Sequence, residues 1–171
     1  MDTLKALKSR MSTKAYTGQQ VPDDLLDSIL EAGLYAPTGR NNQKAIMVAV
    51  RDEKIRNQLS KMNAAVLGMD TDPFYGAPCV IAVLSDTQCS TWVEDGSLVM
   101  GNLLNAAHAL GLGCCWIHRA REVFDSPEGK TLLESWKLPT HLRGIGFCIL
   151  GYSAKAPLPK PREANRIVKI G

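Results

Sequence analysis

Apolar and polar residues follow one another in blocks whose spacing predicts helices and short strands in turn. The clearest helix begins at 21–24, carries apolar residues at helical spacing from Leu25 onward, and ends before Pro37. A second helix, almost entirely apolar, is predicted over 95–110, where Gly111 is placed to end it. A helix with so few polar positions is typical of a protein core or of an interface between subunits.

The other blocks are shorter and complete an alternating pattern. Strands are predicted by continuous apolar runs at 45–50, 80–84, 113–117 and 145–150. Further helices are predicted at 2–10, from Asp52 through Met62, and from Ser126 to near Trp136. The proline-rich tail from Ser153 predicts no core helix. Taken alone, the alternation of helix and strand favours a doubly wound parallel sheet.

The composition predicts a single folded domain over residues 1–171. A hydrophobic share of 45% and a charged share of 22% are near the averages of soluble globular proteins. No apolar run approaches the roughly 20 residues that span a bilayer. The first residues also lack the layout of a signal peptide. We therefore expect a cytoplasmic protein that has no membrane partner.

Charge and cysteine usage exclude further classes of protein. A net charge of +3 and the absence of any run of five Lys or Arg argue against a nucleic-acid partner. The five cysteines include no C-x-x-C pair. We expect free and mostly buried thiols, with neither a metal site nor a disulfide framework.

Two segments place basic side chains at alternate positions. In the first, Arg10, Ser12 and Lys14 would share one face of an extended chain and converge on one phosphate. In the second, prolines hold the chain extended, so that Lys160 and Arg162 share a face in the same way. Taken alone, each segment is more typical of a solvated basic loop or tail than of a binding site.

The segment 35–43, Tyr-Ala-Pro-Thr-Gly-Arg-Asn-Asn-Gln, follows the helix that Pro37 ends. Gly39 would let the backbone approach a ligand, and the neighbouring amides and hydroxyl offer donors and acceptors. An ordinary polar connection would have a similar composition, so a binding loop and a simple turn both remain open.

The segment 111–119 invites three interpretations, and the residues argue against each. Its glycines are not a dinucleotide fingerprint, because they follow a helix and Trp116 stands where the third glycine is required. Cys114 and Cys115 alternate across a strand, so they form neither a redox pair nor one metal site, and we expect both to be buried. Cys115 and His118 would lack a third group to orient a nucleophile and base.

Taken together and in this order, these segments resemble those of the flavin-dependent nitroreductase family, from Leu4 to the C-terminus. The segment 10–14 is similar to the family's Arg-x-Ser-x-Arg/Lys element, which holds the flavin phosphate and ribityl chain. The segment 36–43 is similar to its Ala-Pro-Ser-x-x-Asn-x-Gln-Pro loop, with Lys44 in place of the last proline. The stretch 63–75 does not match the Asn and Lys that contact the pyrimidine ring in larger relatives.

The resemblance implies that flavin mononucleotide (FMN) is bound tightly between two subunits. The loop 36–43 would reach the flavin across the dimer interface, and the strand 113–117 would lie beside the isoalloxazine ring. Lys14 would also reach the pyrimidine edge of that ring. The residues implied to bind the cofactor are Arg10, Met11, Ser12, Thr13, Lys14, Pro37, Thr38, Gly39, Asn42, Ile117, His118, Arg119, Lys160 and Arg162.

The same resemblance implies an α+β fold, in which helices flank a central mixed, mostly antiparallel sheet and the C-terminal segment is exchanged with the partner subunit of a homodimer. This expectation replaces the parallel sheet. It also implies an oxidoreductase that passes hydride from NADH or NADPH to flavin N5, and then electrons to a nitroaromatic or quinone, by a ping-pong mechanism. No catalytic side chain and no metal is required. The alternatives are a dehalogenase or flavin-cleaving enzyme on the same fold, or a non-catalytic flavin binder.

Overall fold

The computed structural model describes residues 2–171, and its strands form one four-stranded antiparallel sheet. The strands are β1 (Ala45–Val50), β2 (Cys79–Asp86), β3 (Gly113–Ile117) and β4 (Leu142–Gly151), in the order β1-β2-β4-β3. All three neighbouring pairs run antiparallel. The doubly wound parallel sheet is therefore wrong, and the mostly antiparallel sheet that the resemblance implies is confirmed.

The connection between β1 and β2 shows why the alternating pattern misled. The last residue of β1, Val50, pairs with Val80 near the start of β2. The helix that follows β1 carries the chain away along the sheet, and the irregular stretch 68–78 carries it back to the same end. A return of this kind gives antiparallel neighbours, whereas a helix alone would cross over to a parallel strand.

Six helices surround the sheet within residues 2–171. They are α1 (Thr3–Ser9), α2 (Asp23–Leu34), α3 (Glu53–Leu67), α4 (Trp92–Ala109), α5 (Ala120–Asp125) and α6 (Pro127–Ser135). Asp2, Asp52 and Ser126 cap α1, α3 and α6, each by accepting a hydrogen bond from a backbone N–H in the first turn. Five of the helices confirm the sequence prediction, and α5 was not predicted.

Both faces of the sheet are buried, because its strands carry apolar residues at nearly every position. Phe147 of β4 packs with α3, α5 and α6 on one face, and its neighbour Cys148 packs with α2 and α4 on the other. Cys114 and Cys115 divide between the two faces in the same way, which confirms that they are buried and point apart.

Helix α4 lies so close to the sheet that a β-carbon on Gly96 would collide with the side chain of Ile145. The Nδ2 of Asn102 donates a hydrogen bond of 2.9 Å to the carbonyl oxygen of Ala32, which ties α4 to α2. Within residues 2–171, no helix combines the length and the apolar composition that crossing a membrane requires.

The tail confirms the prediction that it forms no core helix. Residues 154–171 contain neither helix nor strand, and most of their side chains are exposed. Ile167, Val168 and Ile170 are each at least 82% exposed. The only regular backbone contact near the root of the tail is a bridge between Ser153 and Tyr16, within the described part of the chain.

Candidate functional site

The segment 10–17 is extended and pairs with the outer edge of β3 near the start of that strand. Ser12 forms a parallel bridge with Cys114, and the N–H of Thr13 donates to the Cys114 carbonyl oxygen at 2.9 Å. Gly113 permits this approach, because a β-carbon there would lie 2.8 Å from the Thr13 side chain. Thr13 is buried, while Ser12 and Lys14 are exposed on its two sides. The extended conformation and the alternation of Ser12 and Lys14 about Thr13 agree with the sequence prediction, whereas the convergence of Arg10, Ser12 and Lys14 on one phosphate stays a prediction.

Arg10, at the start of this segment, directs part of its guanidinium group inward. Burial raises the pKa of the Cys114 thiol to about 11, and the charge of Arg10 acts in the opposite direction, which locates the guanidinium near that thiol. The Nη1 of Arg10 is buried and has no hydrogen-bond partner. A buried guanidinium donor without an acceptor is costly, and an anion with several oxygen acceptors would satisfy it.

Lys14 lies against the loop that follows α3. Its Nζ is 5.6 Å from the centroid of the Tyr75 ring. Tyr75 has a φ of 53°, a left-handed conformation that side chains other than glycine adopt rarely. Lys14 forms no ion pair with any carboxylate in residues 2–171. Its charge therefore stays available to a ligand.

Asp72 holds the Tyr75 loop in this conformation. The carboxylate accepts hydrogen bonds from the N–H of Phe74 at 2.9 Å and from the N–H of Gly76 at 2.8 Å. It also forms an ion pair with Arg56, whose side chain is almost fully buried. Hydrogen bonds to Asp72 thus anchor the loop on both sides of Tyr75, the residue that contacts Lys14.

The turn at the end of β3 is fixed by a residue that the sequence analysis did not select. The Nδ2 of Asn63 donates a hydrogen bond of 2.8 Å to the carbonyl oxygen of His118. Asn63 is 0% exposed, and its Oδ1 is buried without a partner. Ile117 is buried beside this turn, whereas the side chains of His118 and Arg119 are exposed. The sequence offered one signal for Asn63: it is a polar residue that follows Met62 on the buried side of a predicted helix.

A second missed residue, Asp95, organises the loop 36–43. Its carboxylate accepts hydrogen bonds from the N–H of Gly39 at 2.8 Å, from the Nδ2 of Asn42 at 3.2 Å, and from the hydroxyl of Thr91 at 3.0 Å. Asp95 is only 2% exposed. A β-carbon on Gly39 would collide with the side chain of Thr91. The loop is therefore locked onto the first turn of α4.

The backbone of this loop is strained. Arg40, Asn41 and Gln43 all have positive φ angles, of 53°, 55° and 51°. The N–H of Gln43 donates to the Thr38 hydroxyl at 3.2 Å, and Pro37 is exposed at the start of the loop. Three residues within one short loop in a rarely populated conformation are typical of functional sites, where the surrounding structure maintains the strain.

Two of the predicted site segments lie at opposite ends of α4. The loop 36–43 contacts Asp95 in the first turn, whereas the Ser9 hydroxyl is 2.7 Å from the Nε2 of His108 in the last turn. At a rise of 1.5 Å per residue, these two turns are about 20 Å apart. A single chain does not bring the loop to the segment that contains Arg10 and Met11.

The tail that carries Lys160 and Arg162 starts beside the segment 10–17. The N–H of Ala154 donates to the carbonyl oxygen of Ala15 at 2.9 Å, and the N–H of Thr17 donates to that of Tyr152 at 3.0 Å. Lys160 and Arg162 themselves are exposed and form no ion pair or hydrogen bond within the described residues. The structure thus brings the tail's root to the basic segment, but not these two side chains.

Residues 2–171 contain no group of three or more His, Cys, Asp or Glu side chains arranged to hold a metal ion. The cysteines are all free, and four of them are buried.

An antiparallel sheet wrapped by helices, with a basic segment on one edge and a strained polar loop on the central helix, defines an α+β fold of the nitroreductase type. The chain belongs to this family: the model of the Nitroreductase family matches residues 7–152. The chain is 31% identical over 166 residues to a protein from Methanothermobacter thermautotrophicus named as a candidate NADH dehydrogenase/NAD(P)H nitroreductase, covering 92% of this chain and 80% of that one.

Two further proteins extend the comparison. A protein named FMN reductase [NAD(P)H] from Bacillus subtilis is 25% identical over 184 residues, covering 98% of this chain and 72% of that one. The crystal structure of a nitroreductase with bound FMN from Bacteroides fragilis superposes with a TM-score of 0.90 at 28% identity, covering 100% of both chains.

Proposed function

We propose that the chain is an FMN-dependent oxidoreductase that takes electrons from NADH or NADPH and passes them to small acceptors, such as nitroaromatics or quinones, by a ping-pong mechanism. The observation that carries the proposal is a pair of buried polar atoms without partners, the Nη1 of Arg10 and the Oδ1 of Asn63. FMN offers the complement of each, since its phosphate accepts hydrogen bonds and the N3–H of its ring donates one. The FMN-bound relative and the NAD(P)H-dependent reductase support the same assignment.

The protein's part in this chemistry is to bind, orient and polarise. Bound flavin supplies the redox chemistry, by accepting electrons from the nicotinamide and returning them to the acceptor, so no catalytic side chain is required. The ammonium group of Lys14, free of carboxylates, would stabilise the negative charge that reduction adds at the pyrimidine edge. The turn 117–119, held by Asn63, would present its backbone N–H groups to the other side of the ring.

The distance between the two groups of site residues supports a homodimer. A copy of the chain related by a two-fold axis, with its α4 antiparallel to the first, would place its loop 36–43 beside the first chain's Arg10. On the outer side of α4, a β-carbon on Gly101 would have open space around it, and Leu98 is 46% exposed. Leu34 and Tyr35, at the end of α2, are also exposed. Apolar surface of this extent is typical of a subunit interface.

The exchange of the C-terminal segment is supported by an open sheet edge. Ser12 and Thr13 pair with the start of the outer edge of β3, whereas nothing in residues 2–171 pairs with the outer side of β1. This strand, Ala-Ile-Met-Val-Ala-Val, has no charged residue to protect it from pairing with another chain. We place the partner's segment 166–171, with its exposed Ile167 and Ile170, on this edge.

The proposed phosphate site consists of Arg10, Lys160 and Arg162, and it is tested by neutralising two of these three cations. A chain carrying Arg10→Met and Lys160→Met is expected to purify as a folded but colourless dimer, whereas Lys61→Met, which removes an exposed cation on α3, should keep its yellow colour. The measurement is the visible absorption spectrum, with circular dichroism to confirm folding. Full colour in the double variant would overturn the phosphate site.

Mixed dimers test whether each site is shared between subunits. One chain carries Gly39→Val in the loop, and the other carries Arg10→Met and Lys160→Met. Each is expected to be colourless alone. When the two are co-expressed, every heterodimer regains one intact site, so about a quarter of all sites should bind flavin. If both groups of residues served the same chain's site, co-expression would restore nothing, and a flavin-loaded monomer would contradict the proposal as directly.

The exchanged segment is tested by ending the chain after Asn165. We expect a weaker dimer by sedimentation velocity, with the secondary structure retained in circular dichroism. An undiminished dimer would place the tail elsewhere.

A yellow protein that oxidises neither NADH nor NADPH with any acceptor would instead be a non-catalytic flavin binder.

A further inference from the structure

A pocket of about 280 Å³ opens at the end of β3, between the first half of α4 and the short helix α5. This volume is near the lower limit for a site that holds a small organic molecule. Its lining combines aromatic and aliphatic side chains with basic ones and with the carboxylate of Glu122. Its principal lining residues are Val93, Trp116, His118, Arg119, Arg121 and Ile145.

Only one of the two arginines in the pocket is neutralised. The Nη1 of Arg119 forms an ion pair of 2.9 Å with the Oε1 of Glu122. Burial raises the pKa of the Glu122 carboxyl, but a backbone hydrogen bond, Arg119 and His118 outweigh it and hold that pKa below its ordinary value. Glu122 is therefore ionised at neutral pH and already occupied.

Arg121 has no carboxylate partner within residues 2–171. Its guanidinium carbon lies 4.9 Å from the centroid of the Trp92 ring, a cation–π contact with the face of the indole. Such a contact restrains the position of the guanidinium without using its N–H groups as hydrogen-bond donors. A planar, oriented fork of donors matches the two oxygens of a carboxylate.

The pocket also borders the turn formed by His118 and Arg119, which would lie beside the flavin ring. Arg121, a group that can bind an anion, would therefore lie near the flavin ring, from which electrons leave the enzyme. The partly exposed indole of Trp116 adds a flat apolar wall on the same side. A flat aromatic molecule that carries a carboxylate matches the indole of Trp116 and the guanidinium of Arg121, which has no carboxylate partner in the described part of the chain.

We propose that this pocket selects acceptors that bear a carboxylate on a planar aromatic group, with Arg121 as the residue that determines the specificity. The inference rests on the proposed function, because it assumes a flavin beside the turn 117–119. A phosphate of the nicotinamide donor is also an anion and could bind Arg121 as an acceptor's carboxylate does. The experiment therefore distinguishes binding of the donor from binding of the acceptor.

The experiment compares two acceptors of the same shape, 4-nitrobenzoate and 4-nitrobenzamide, with the FMN-loaded dimer. We expect kcat/KM to favour the carboxylate, and Arg121→Met to lower the ratio of the two kcat/KM values by about tenfold or more, since hydrogen bonds to charged groups contribute about 1.5–3 kcal/mol. Arg121→Lys should retain part of the preference, because it keeps the charge and loses the planar fork. The matched control is Arg51→Met, which removes an arginine paired with Asp23 outside the pocket.

Several outcomes would overturn the inference while leaving the proposed function intact. A yellow wild-type enzyme that shows no preference for 4-nitrobenzoate would do so, as would a ratio that Arg121→Met leaves unchanged. A rise in KM for NADPH but not NADH in Arg121→Met, with an unchanged acceptor ratio, would assign the pocket to the donor's phosphate and would also overturn it. A colourless wild-type protein would instead contradict the proposed function itself.

Discussion

The side chain of Asn63 holds the carbonyl oxygen of His118 at 2.8 Å, and so joins the middle of α3 to a turn 55 residues away. This one bond fixes the end of β3, where the site residues Ile117 and Arg119 also lie. It leaves the Oδ1 of Asn63 buried and unpaired. The relationship makes Asn63 the most informative single position in the site.

Asn63→Ala is expected to lower both stability and flavin affinity. The change leaves the His118 carbonyl without its donor, which should reduce the free energy of unfolding by about 1–3 kcal/mol. It should also raise the dissociation constant of FMN, because the ring loses an acceptor. Urea denaturation of the apoprotein and fluorescence titration with FMN measure the two effects. The control is Lys61→Ala, which changes an exposed residue on the same helix. An unchanged FMN affinity in Asn63→Ala would show that Asn63 serves packing and does not bind the flavin.

Lys14→Met is expected to lower the reduction potential of the bound flavin. Loss of a cation from the pyrimidine edge destabilises the reduced, more negative form, and a loss of about 1.4 kcal/mol corresponds to about 30 mV for a two-electron couple. Tyr75→Leu should lower the potential less, since it only removes the ring that orients the ammonium group. Tyr75→Phe should change nothing, because the ring is retained. Redox titration against reference dyes provides the values, and a higher potential in Lys14→Met would contradict the role.

The lowered pKa of Asp72 predicts that the free energy of unfolding falls in acid. Burial raises the pKa of its carboxyl, but hydrogen bonds from Arg56, Ser60 and the loop backbone outweigh it, so the pKa in the folded state is lowered. A carboxyl with a lower pKa in the folded than in the unfolded state stabilises fully above the unfolded pKa of about 3.9 and loses that contribution as the pH falls through the folded value. Urea unfolding of the wild type between pH 6 and pH 3 should show this decline.

Asp72→Asn isolates that contribution. The variant should be less stable at pH 6, by about 2 kcal/mol, because Arg56 loses the partner of a largely buried guanidinium. Its stability should also fall less between pH 6 and pH 3 than that of the wild type. Asp70→Asn, two residues earlier and exposed, should reproduce the wild-type profile. Identical pH profiles for Asp72→Asn and the wild type would show that the acid sensitivity lies elsewhere.

The cysteines are expected to behave as packing residues. Burial raises the pKa of Cys79 and Cys114 to about 11, and it raises that of Cys148 well above its ordinary value. Only the thiolate reacts readily, so these groups should resist iodoacetamide at pH 8. Mass spectrometry should find one adduct, on the partly exposed Cys89, in native protein and five in urea. An adduct on Cys114 in native protein would show that the edge of β3 opens.

The sequence located the strands well because they carry apolar residues at nearly every position. The apolar runs at 45–50 and 113–117 coincide with β1 and β3. A continuous apolar run carries no information about direction, however, so the antiparallel arrangement followed only from the family resemblance. Helix α5 was missed because it is six residues long and follows Arg119, which has a φ of 75°.

The site was predictable only where its residues are neighbours in sequence. The alternation of Ser12 and Lys14 about a buried Thr13 is a local property, and the structure confirms it. Asp95 and Asn63 act on segments 56 and 55 residues away. Pairings of this kind depend on how the helices pack, and no pattern of spacing within one segment reveals them.

The length of α4 has a consequence for how the protein responds to dilution. Because the helix separates the loop 36–43 from the segment 10–14 by about 20 Å, a single chain of the proposed homodimer would present two half-sites and no complete one. Cofactor uptake would then be thermodynamically linked to assembly, and free FMN would act as a cross-linking ligand that holds the pair together. The yellow fraction at a fixed FMN concentration would rise with the protein concentration.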